Sequence, residues 1–479
     1  MMRYRIAIFA VLALCLTTVS GVNSVPDKAE AKVNVSAESA IVMDVQSGII
    51  LYEKNIDKRE YPASITKIMT ALVAIENSSL SETVTYSKEA VTNLESGASN
   101  IEIQTGEKLS MEDSLYGILM MSANEACNGV AEHVAGSIEA FVKMMNTRAK
   151  ELGCTGTHFA NSNGLWMKNH YTTAHDMAII ARAAYKNPTF AKITGTKTYS
   201  IPRTNKHLAR SIYNHHGMLY AYKFPQYLYE YCVGGKTGYT ERCRYTLVTY
   251  AKKNGMTLLS VVMKVPKSPY EEPNEYTDST RLLNYCFNHY KRVSIQDKAL
   301  EEVKNAHLFT KFSPFFDKST SSLTIDDNAG VIIPKKADLS QTKKSVEFYD
   351  TPQKSVAESD SSKMVIGKLT YKYKGSDAGG SDIYYDTANT ASQIALADSF
   401  DMSEWFNDAV EEANKEPFPW KTFFVITGIA LVLIALSIFL VLRLREQREV
   451  RARRNRYKKS RHNMNYNSQG LYYRRKWKK

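Results

Sequence analysis

One short stretch, Ser64-Ile65-Thr66-Lys67, constrains this chain more than any other. Pro62 precedes it and an apolar run follows it, which is typical of a helix start. Residues three apart lie on one helix face, so Lys67 would hang over Ser64. A neutral lysine can take the serine's proton, provided that burial or a nearby cation lowers its pKa. The stretch predicts a nucleophile and its base at a helix N-terminus, although the pattern alone is common by chance.

A second motif, Ser122-Ala123-Asn124, supports that interpretation. We expect Ser122 to relay a proton between Lys67 and a leaving amine, because a hydroxyl both donates and accepts hydrogen bonds. Asn124 would donate a hydrogen bond to a backbone carbonyl of the substrate. Cys127, little more than a helical turn beyond Ser122, is more typical of a core residue than of a second nucleophile.

The third motif, Lys236-Thr237-Gly238, follows two glycines in a strand-like stretch. Lys236 would place a cation beside Lys67, which lowers the pKa of that base and attracts an anionic substrate. Thr237 offers a hydroxyl to a carboxylate, and Gly238 lets a substrate strand approach the sheet edge. Each motif is weak alone, but S-x-x-K, S-x-N and K-T-G in this order predict an acyl-enzyme route.

The hydrophobic pattern predicts a mixed α+β domain over residues 36–292. A hairpin at Ala40–Tyr52 and successive strands between Tyr231 and Val265 flank a helical middle, which favours one antiparallel sheet. One helix is expected to begin at Ser110, to be capped there, and to run into the Ser122 motif. After that domain, short alternating runs predict a small all-β domain at 296–388.

The two ends of the chain indicate export and membrane attachment. Residues 1–24 have the layout of a secretory signal peptide, with an uncleaved anchor as the alternative. Residues 389–421 form a predicted linker whose amphipathic helix, Ser403–Asn414, would pack on the β domain or lie on the bilayer. Residues 422–442 carry no charge and predict a single transmembrane helix, with 443–479 as a basic cytoplasmic tail. The catalytic domain would then lie outside the cytoplasm.

The net charge of +13 belongs to that tail, because residues 443–479 hold 15 Lys and Arg against two Glu. The rest of the chain is neutral overall, so composition gives no reason to expect a nucleic-acid partner. Among the six cysteines there is no C-x-x-C pair, which argues against a zinc site or a disulfide framework. Buried thiols are expected, with a disulfide between Cys232 and Cys243 across a turn as the alternative.

Together the three motifs resemble those of the D-alanyl-D-alanine carboxypeptidases, which are low-molecular-mass penicillin-binding proteins of the serine peptidase type. The similarity spans about residues 37–290. It extends to Tyr61-Pro62-Ala63-Ser64 and to the stretch His158-Phe159-Ala160-Asn161-Ser162-Asn163-Gly164-Leu165. The β domain and the amphipathic helix resemble that family's second domain and its membrane-lying helix.

The resemblance implies a penicillin-binding, β-lactamase-like fold with a five-stranded antiparallel sheet packed against a helical cluster. It implies removal of the terminal D-alanine from the peptidoglycan stem pentapeptide, and covalent inhibition by β-lactams. It also implies an oxyanion hole made by the backbone N–H groups of Ser64 and Tyr239. No metal and no cofactor are implied, and the cytoplasmic membrane is the expected attachment surface.

The sequence departs from the family pattern in two places. Cys243-Arg244 stands where better-known members have Ala-Gly, and Glu275 stands at or beside the place of an arginine that holds the substrate's terminal carboxylate. Our hypothesis is that Arg244 supplies the missing guanidinium and that Glu275 orients it. The alternative is that Arg244 is solvated and Glu275 has no role.

Three other functions compete with this one. A β-lactamase needs a second base, usually in an E-x-x-x-N stretch, and none occurs between Glu125 and Gly235. A peptidoglycan endopeptidase or transpeptidase of the same family stays open, because it would use the same nucleophile. A non-catalytic wall-binding scaffold is disfavoured by the presence of every nucleophilic part.

Overall fold

The computed structural model describes residues 33–92, 94, 97–221, 224–267, 274–295, 323–326, 329–354 and 363–386. The predicted signal peptide, linker, amphipathic helix, transmembrane helix and basic tail all lie outside these residues. Within the described ranges, no helix is both long enough and apolar enough to cross a membrane.

The first part of the chain is built on one five-stranded antiparallel sheet, in the strand order β2-β1-β9-β8-β7. Two short pairs, β3 with β4 and β5 with β6, lie outside it. The strands up to residue 295 are β1 (Ser39–Asp44), β2 (Ile50–Lys54), β3 (Thr83–Thr85), β4 (Lys108–Ser110), β5 (Thr198–Ile201), β6 (Arg210–Tyr213), β7 (Cys232–Thr240), β8 (Arg244–Lys253), β9 (Met256–Val265) and β10 (Tyr290–Ser294).

Helices cover both faces of this sheet. They are α1 (Lys67–Asn77), α2 (Lys88–Thr92), α3 (Met111–Met120), α4 (Asn124–Ala135), α5 (Ile138–Glu151), α6 (Ala174–Lys186), α7 (Pro188–Gly195) and α8 (Asn274–His289). Side chains alternate between faces along a strand. Ile41 and Met43 of β1 therefore join the core under the helical cluster, whereas Ala40 and Val42 join the core under α8.

The helix predicted from Ser110 ends sooner than expected. The Ser110 Oγ accepts a hydrogen bond from the Asp113 backbone N–H at 3.0 Å, so the predicted cap is present. However, α3 stops at Met120, and Ser122 has a φ of +61°, which turns the chain before α4 begins at Asn124. The second motif therefore occupies a break between two helices, not the interior of one.

A second, six-stranded sheet follows in the order β10-β12-β15-β14-β13, with β11 paired to β15. It starts a few residues before the predicted boundary at 296, because β10 begins at Tyr290, directly after α8. Arg292 on β10 also reaches back to Asp44 at the end of β1, with 3.4 Å between Nη1 and Oδ2. The remaining strands of the six-stranded sheet are β11 (Leu323–Ile325), β12 (Gly330–Pro334), β13 (Thr342–Lys354), β14 (Lys363–Tyr373) and β15 (Ser376–Asp386).

The cysteines of the described part are free and buried. This confirms the expectation of buried thiols. The alternative of a disulfide between Cys232 and Cys243 is wrong, because the first packs under α8 and the second sits in the turn after β7 with its backbone N–H on Thr240.

Candidate active site

The nucleophile candidate lies in a tight turn, not yet in the α-helix. Residues Ala63–Thr66 form a 3-10 turn that leads into α1 at Lys67. Ala63 takes a φ of +53°, which is uncommon for a residue with a side chain. Thr66 Oγ1 ties the turn together by donating to the Ala63 carbonyl at 2.8 Å, and it lies 2.9 Å from His170 Nε2.

The turn is also held from outside by a loop. Gly164 has a φ of +85° and packs so closely on Ala63 that a Cβ there would overlap the Ala63 carbonyl oxygen. Asn161 Oδ1 accepts a hydrogen bond from the Gly164 N–H at 2.7 Å, which fixes the glycine's position. The strained turn that carries Ser64 is therefore supported by a backbone that only glycine allows.

Lys67 is buried, and its Nζ contacts three oxygen atoms. These are Ser64 Oγ at 3.0 Å, Asn124 Oδ1 at 2.9 Å and the Asn163 carbonyl at 2.5 Å. A neutral amine has two N–H donors and one lone pair. It can donate to Asn124 and Asn163 while accepting the proton of Ser64, which is the arrangement that a general base needs.

Two buried lysines lie close together here. Burial lowers the pKa of Lys67, against the opposing effect of nearby Cys127 and Glu125. Burial also lowers the pKa of Lys236 well below its ordinary value, and the charge of Lys67 lowers it further. Each charge therefore makes the other less favourable, and the general-base chemistry requires that Lys67 be the lysine that gives up its proton.

The second motif contributes one direct contact to this cluster. Asn124 accepts from Lys67 through Oδ1 and donates through Nδ2 to the Ser99 carbonyl at 2.8 Å, so its amide orientation is defined. Ser122 is buried at the helix break beside it. Among the described residues, Lys67 Nζ has no direct hydrogen bond to Ser122.

The third motif brings an edge strand against the nucleophile. A Cβ on Gly238 would lie 2.9 Å from the Ser64 backbone nitrogen and would overlap Thr246 Oγ1, which itself donates to the Pro62 carbonyl at 2.8 Å. Lys236 Nζ donates to the Thr237 carbonyl at 2.8 Å. The absence of a side chain at Gly238 therefore lets β7 approach the Ser64 turn.

Tyr239 follows Gly238 on β7, with an exposed ring and a hydroxyl that donates to Glu241 at 2.6 Å. Its backbone N–H belongs to the same strand segment that packs against the Ser64 nitrogen. The two N–H groups expected to form the oxyanion hole are thus on the two elements that Gly238 brings together.

The pairing of Arg244 with Glu275 predicted from the sequence is wrong. Arg244 is exposed and lies 3.7 Å from Glu241, its i−3 neighbour. Its side chain lines a surface pocket with Lys54 and Lys264, beside β2 and β9 and not at the β7 edge. Glu275 is buried in the first turn of α8, where burial raises its pKa to about 7. Arg244 is thus engaged at the surface beside Glu241, whereas Glu275 is buried at the start of α8.

Sequence reasoning missed three contributors to the site. The Asn163 carbonyl binds Lys67, Gly164 supports the turn, and Glu125 lies near Lys67 with Oε1 accepting from the Ile101 N–H at 2.6 Å. Burial raises the pKa of Glu125. The available signal was the Asn-Ser-Asn-Gly run at 161–164, since Asn and Gly together mark a loop with a left-handed residue.

The site has no metal-like cluster in the described part of the chain. A serine beside a buried lysine, with an edge strand at the oxyanion position, defines a serine hydrolase that works through an acyl-enzyme.

Comparison with known proteins identifies the family. Residues 26–267 match the family described as D-alanyl-D-alanine carboxypeptidase, which is about half of this chain. The chain therefore belongs to this family of serine-type carboxypeptidases, and the resemblance noted in the sequence is confirmed.

Individual relatives agree with this assignment. The D-alanyl-D-alanine carboxypeptidase DacF of Bacillus subtilis is 33% identical over 322 residues, which cover 66% of this chain and 77% of DacF. DacC of Escherichia coli, another D-alanyl-D-alanine carboxypeptidase, is 31% identical over 317 residues, which cover 63% of this chain and 72% of DacC. The crystal structure of a D-alanyl-D-alanine carboxypeptidase from Mycobacterium tuberculosis has 30% identity and a TM-score of 0.50, and covers 55% of this chain and 96% of that one. The predicted α+β penicillin-binding fold with its antiparallel sheet is confirmed.

The lowered pKa of Lys67 predicts a pH dependence. Only the neutral amine can accept the Ser64 proton, so the rate of acylation by a labelled penicillin should rise with pH through the pKa of Lys67. That rise should level off below the ordinary lysine pKa of about 10.4. Lys67→Arg should be nearly inactive throughout, because a guanidinium does not deprotonate. Near-normal acylation by Lys67→Arg would show that the lysine is not the base.

The Gly164 contact gives a second prediction. Gly164→Ala should lower penicillin acylation at least about tenfold, because the new methyl group displaces the Ala63 carbonyl and with it the Ser64 turn. Gly153→Ala is the matched control, since Gly153 has a φ of +87° but nothing within 4 Å of a Cβ. The positive φ should destabilise both variants in thermal unfolding, and the overlap with Ala63 should destabilise Gly164→Ala further; at a temperature where both are folded, only Gly164→Ala should lose acylation. Equal acylation in both would separate Gly164 from the site.

Proposed function

We propose that this protein removes the terminal D-alanine from peptidoglycan stem pentapeptides through a covalent acyl-enzyme on Ser64. The observation that carries the proposal is the buried Lys67 amine, 3.0 Å from Ser64 Oγ. That contact supplies a base to a hydroxyl that is otherwise a poor nucleophile at neutral pH. The family and its D-alanyl-D-alanine carboxypeptidase relatives support the same reaction.

The steps follow from the contacts around Ser64. Its Oγ attacks the carbonyl carbon between the two D-alanines while the hydroxyl proton passes to Lys67. The resulting oxyanion is stabilised by the N–H groups of Ser64 and Tyr239. The proton then reaches the departing D-alanine amine through Ser122, the C–N bond breaks, and the acyl group stays on Ser64. Water hydrolyses this ester, with Lys67 again taking a proton, and releases the shortened peptide.

The substrate is held as an added strand on the free edge of β7. Gly238 leaves that edge accessible, and Asn124 can use its second N–H on a substrate carbonyl. The terminal carboxylate lies towards Lys236 and Thr237, the cation and the hydroxyl at the earlier end of the strand. β-Lactams react in the same place, because their strained amide meets the same nucleophile and leaves an ester on Ser64.

One variant and one product analysis test this function. Ser64→Ala should lose both covalent penicillin labelling and D-alanine release from a synthetic pentapeptide, with an unchanged unfolding temperature. Product analysis should show free D-alanine from the pentapeptide and no cleavage of a cross-linked dimer. Cleavage of the dimer instead would favour the endopeptidase or transpeptidase alternative, and labelling that persists in Ser64→Ala would remove Ser64 from its role.

The same proposal includes a location. Residues 1–24 would export the chain, residues 422–442 would anchor it in the cytoplasmic membrane by a single pass, and residues 443–479 would stay inside. The support for this comes from the sequence: a short apolar run after two arginines, an uncharged 21-residue stretch, and 15 basic residues after it. Peptidoglycan precursors outside the membrane would then be within reach of Ser64.

This topology predicts a simple protection pattern. Protease added to intact protoplasts should digest the catalytic domain and leave only a small C-terminal fragment, because only the tail is shielded by the membrane. Lysed protoplasts are the control and should lose that fragment as well. A full-length chain that survives in intact protoplasts would contradict the proposed location.

A further inference from the structure

A second guanidinium lies beside the site, in the turn that follows β7. Arg242 is exposed, and its Cζ sits 4.0 Å from the centre of the Trp166 ring. Tyr61 packs edge-on against the same indole, with 6.1 Å between ring centres. Arg244, two residues later, is paired with Glu241, but Arg242 has no carboxylate within ion-pair distance among the described residues.

Two members of this stack are close in sequence to the segments that form and support the Ser64 turn. Tyr61 is three residues before Ser64, and Trp166 is two residues after Gly164, which packs on the Ala63 carbonyl. The ring of Trp166 is therefore attached to the same loop that supports the Ser64 turn. A guanidinium held against this ring keeps a fixed place relative to Ser64, because stacking limits the freedom of an otherwise flexible side chain.

The direction of β7 tells which end of the substrate this stack would meet. Along the strand, Lys236 comes before Gly238, and the turn with Arg242 comes after Thr240. The strand advances roughly 3.3 Å per residue. A peptide on this edge, with its reacting carbonyl beside Gly238 and its terminal carboxylate towards Lys236, must extend its earlier residues towards Arg242.

We propose that Arg242, stacked on Trp166, is a specificity-determining residue that binds a carboxylate on the acyl side of the substrate. The ligand class is a stem peptide whose residue before D-Ala-D-Ala carries a carboxylate on its side chain. This inference rests on the proposed function, because it uses the orientation of a D-Ala-D-Ala peptide on β7. In this proposal the protein binds two carboxylates of the substrate. Lys236 and Thr237 bind the one at the chain end, and Arg242 binds the one on the side chain.

The chemistry of the residue fits this role. With its Cζ over the indole ring, the guanidinium still has N–H donors available for a further partner. A carboxylate can then accept two parallel hydrogen bonds from one edge, the geometry that arginine provides and lysine does not. The neighbouring Glu241 carboxylate is engaged by the Tyr239 hydroxyl and by Arg244, and it forms no ion pair with Arg242 in the described part of the chain.

The test uses two substrates that differ by one carboxylate. They are Nα-acetyl-L-lysyl-D-Ala-D-Ala and the same peptide with meso-diaminopimelate in place of lysine, whose side chain ends in an added carboxylate. The full-length protein should show a higher kcat/KM for the diaminopimelate peptide by about tenfold, the value of one charged hydrogen-bonded pair. Arg242→Gln should abolish this preference, by slowing the diaminopimelate peptide and leaving the lysine peptide nearly unchanged.

A matched control is available in Arg59, which is also exposed and stacks on an aromatic ring, Tyr171, at 4.7 Å. Arg59→Gln removes the same charge and should keep the preference, which separates a local contact from a general electrostatic effect. Arg242→Lys should retain only part of the preference, because the charge stays but the paired N–H donors of the planar guanidinium are lost. Penicillin acylation should be normal in all three variants.

Several outcomes would overturn the inference. A wild-type protein that cleaves both peptides equally well has no such subsite. If Arg242→Gln slows both peptides to the same degree, the residue acts on the common terminal carboxylate or on the structure, and a parallel loss of penicillin acylation identifies the structural case. Failure of the wild type to release D-alanine from either peptide would instead reject the proposed function itself.

Discussion

The buried amine of Lys67 is the interaction on which the rest of the site depends. A charged ammonium group is costly in the protein interior, and here the three oxygen contacts at Ser64, Asn124 and Asn163 suit an uncharged amine as well. The second cation, Lys236, makes double charging worse still. Burial therefore makes it easier for Lys67 to lose its proton than it would be in water, and the neutral amine is the form that can activate Ser64.

The larger architecture serves to bring remote segments around this amine. Lys67 comes from the start of α1, Asn124 from the start of α4, Asn163 from a loop, and Lys236 from the edge strand β7. The first three come from an end of a helix or from a loop, where the backbone is free to turn, and Lys236 comes from the middle of β7. The two buried faces of the central sheet give these ends a rigid support, so that the contacts are set by packing rather than by the local sequence.

Much of the fold and of the site was predictable from the sequence, because the motifs indicate the chemistry and the hydrophobic periodicity indicates which residues are buried. The antiparallel sheet, the capping by Ser110 and the three motifs fall in that class. The helix break at Ser122 could not be predicted, because a positive φ at a serine depends on tertiary packing. The position of Arg244 was predicted wrongly for a related reason. A residue near a turn can reach any of several surfaces of the protein, and the register of β8 with β7 and β9 decides which surface its side chain contacts.

The junction between α8 and the second sheet has a mechanical consequence. His289 ends the helix and Tyr290 begins β10, so no slack chain separates the two bodies. Tyr290 packs in the core under α8, and Arg292 pairs with Asp44 at the end of β1. The second sheet cannot swing without bending β10 or withdrawing a guanidinium from a buried carboxylate. A reorientation of this sheet would be resisted at both contacts, so a tether attached to it would constrain the orientation of the domain that carries Ser64.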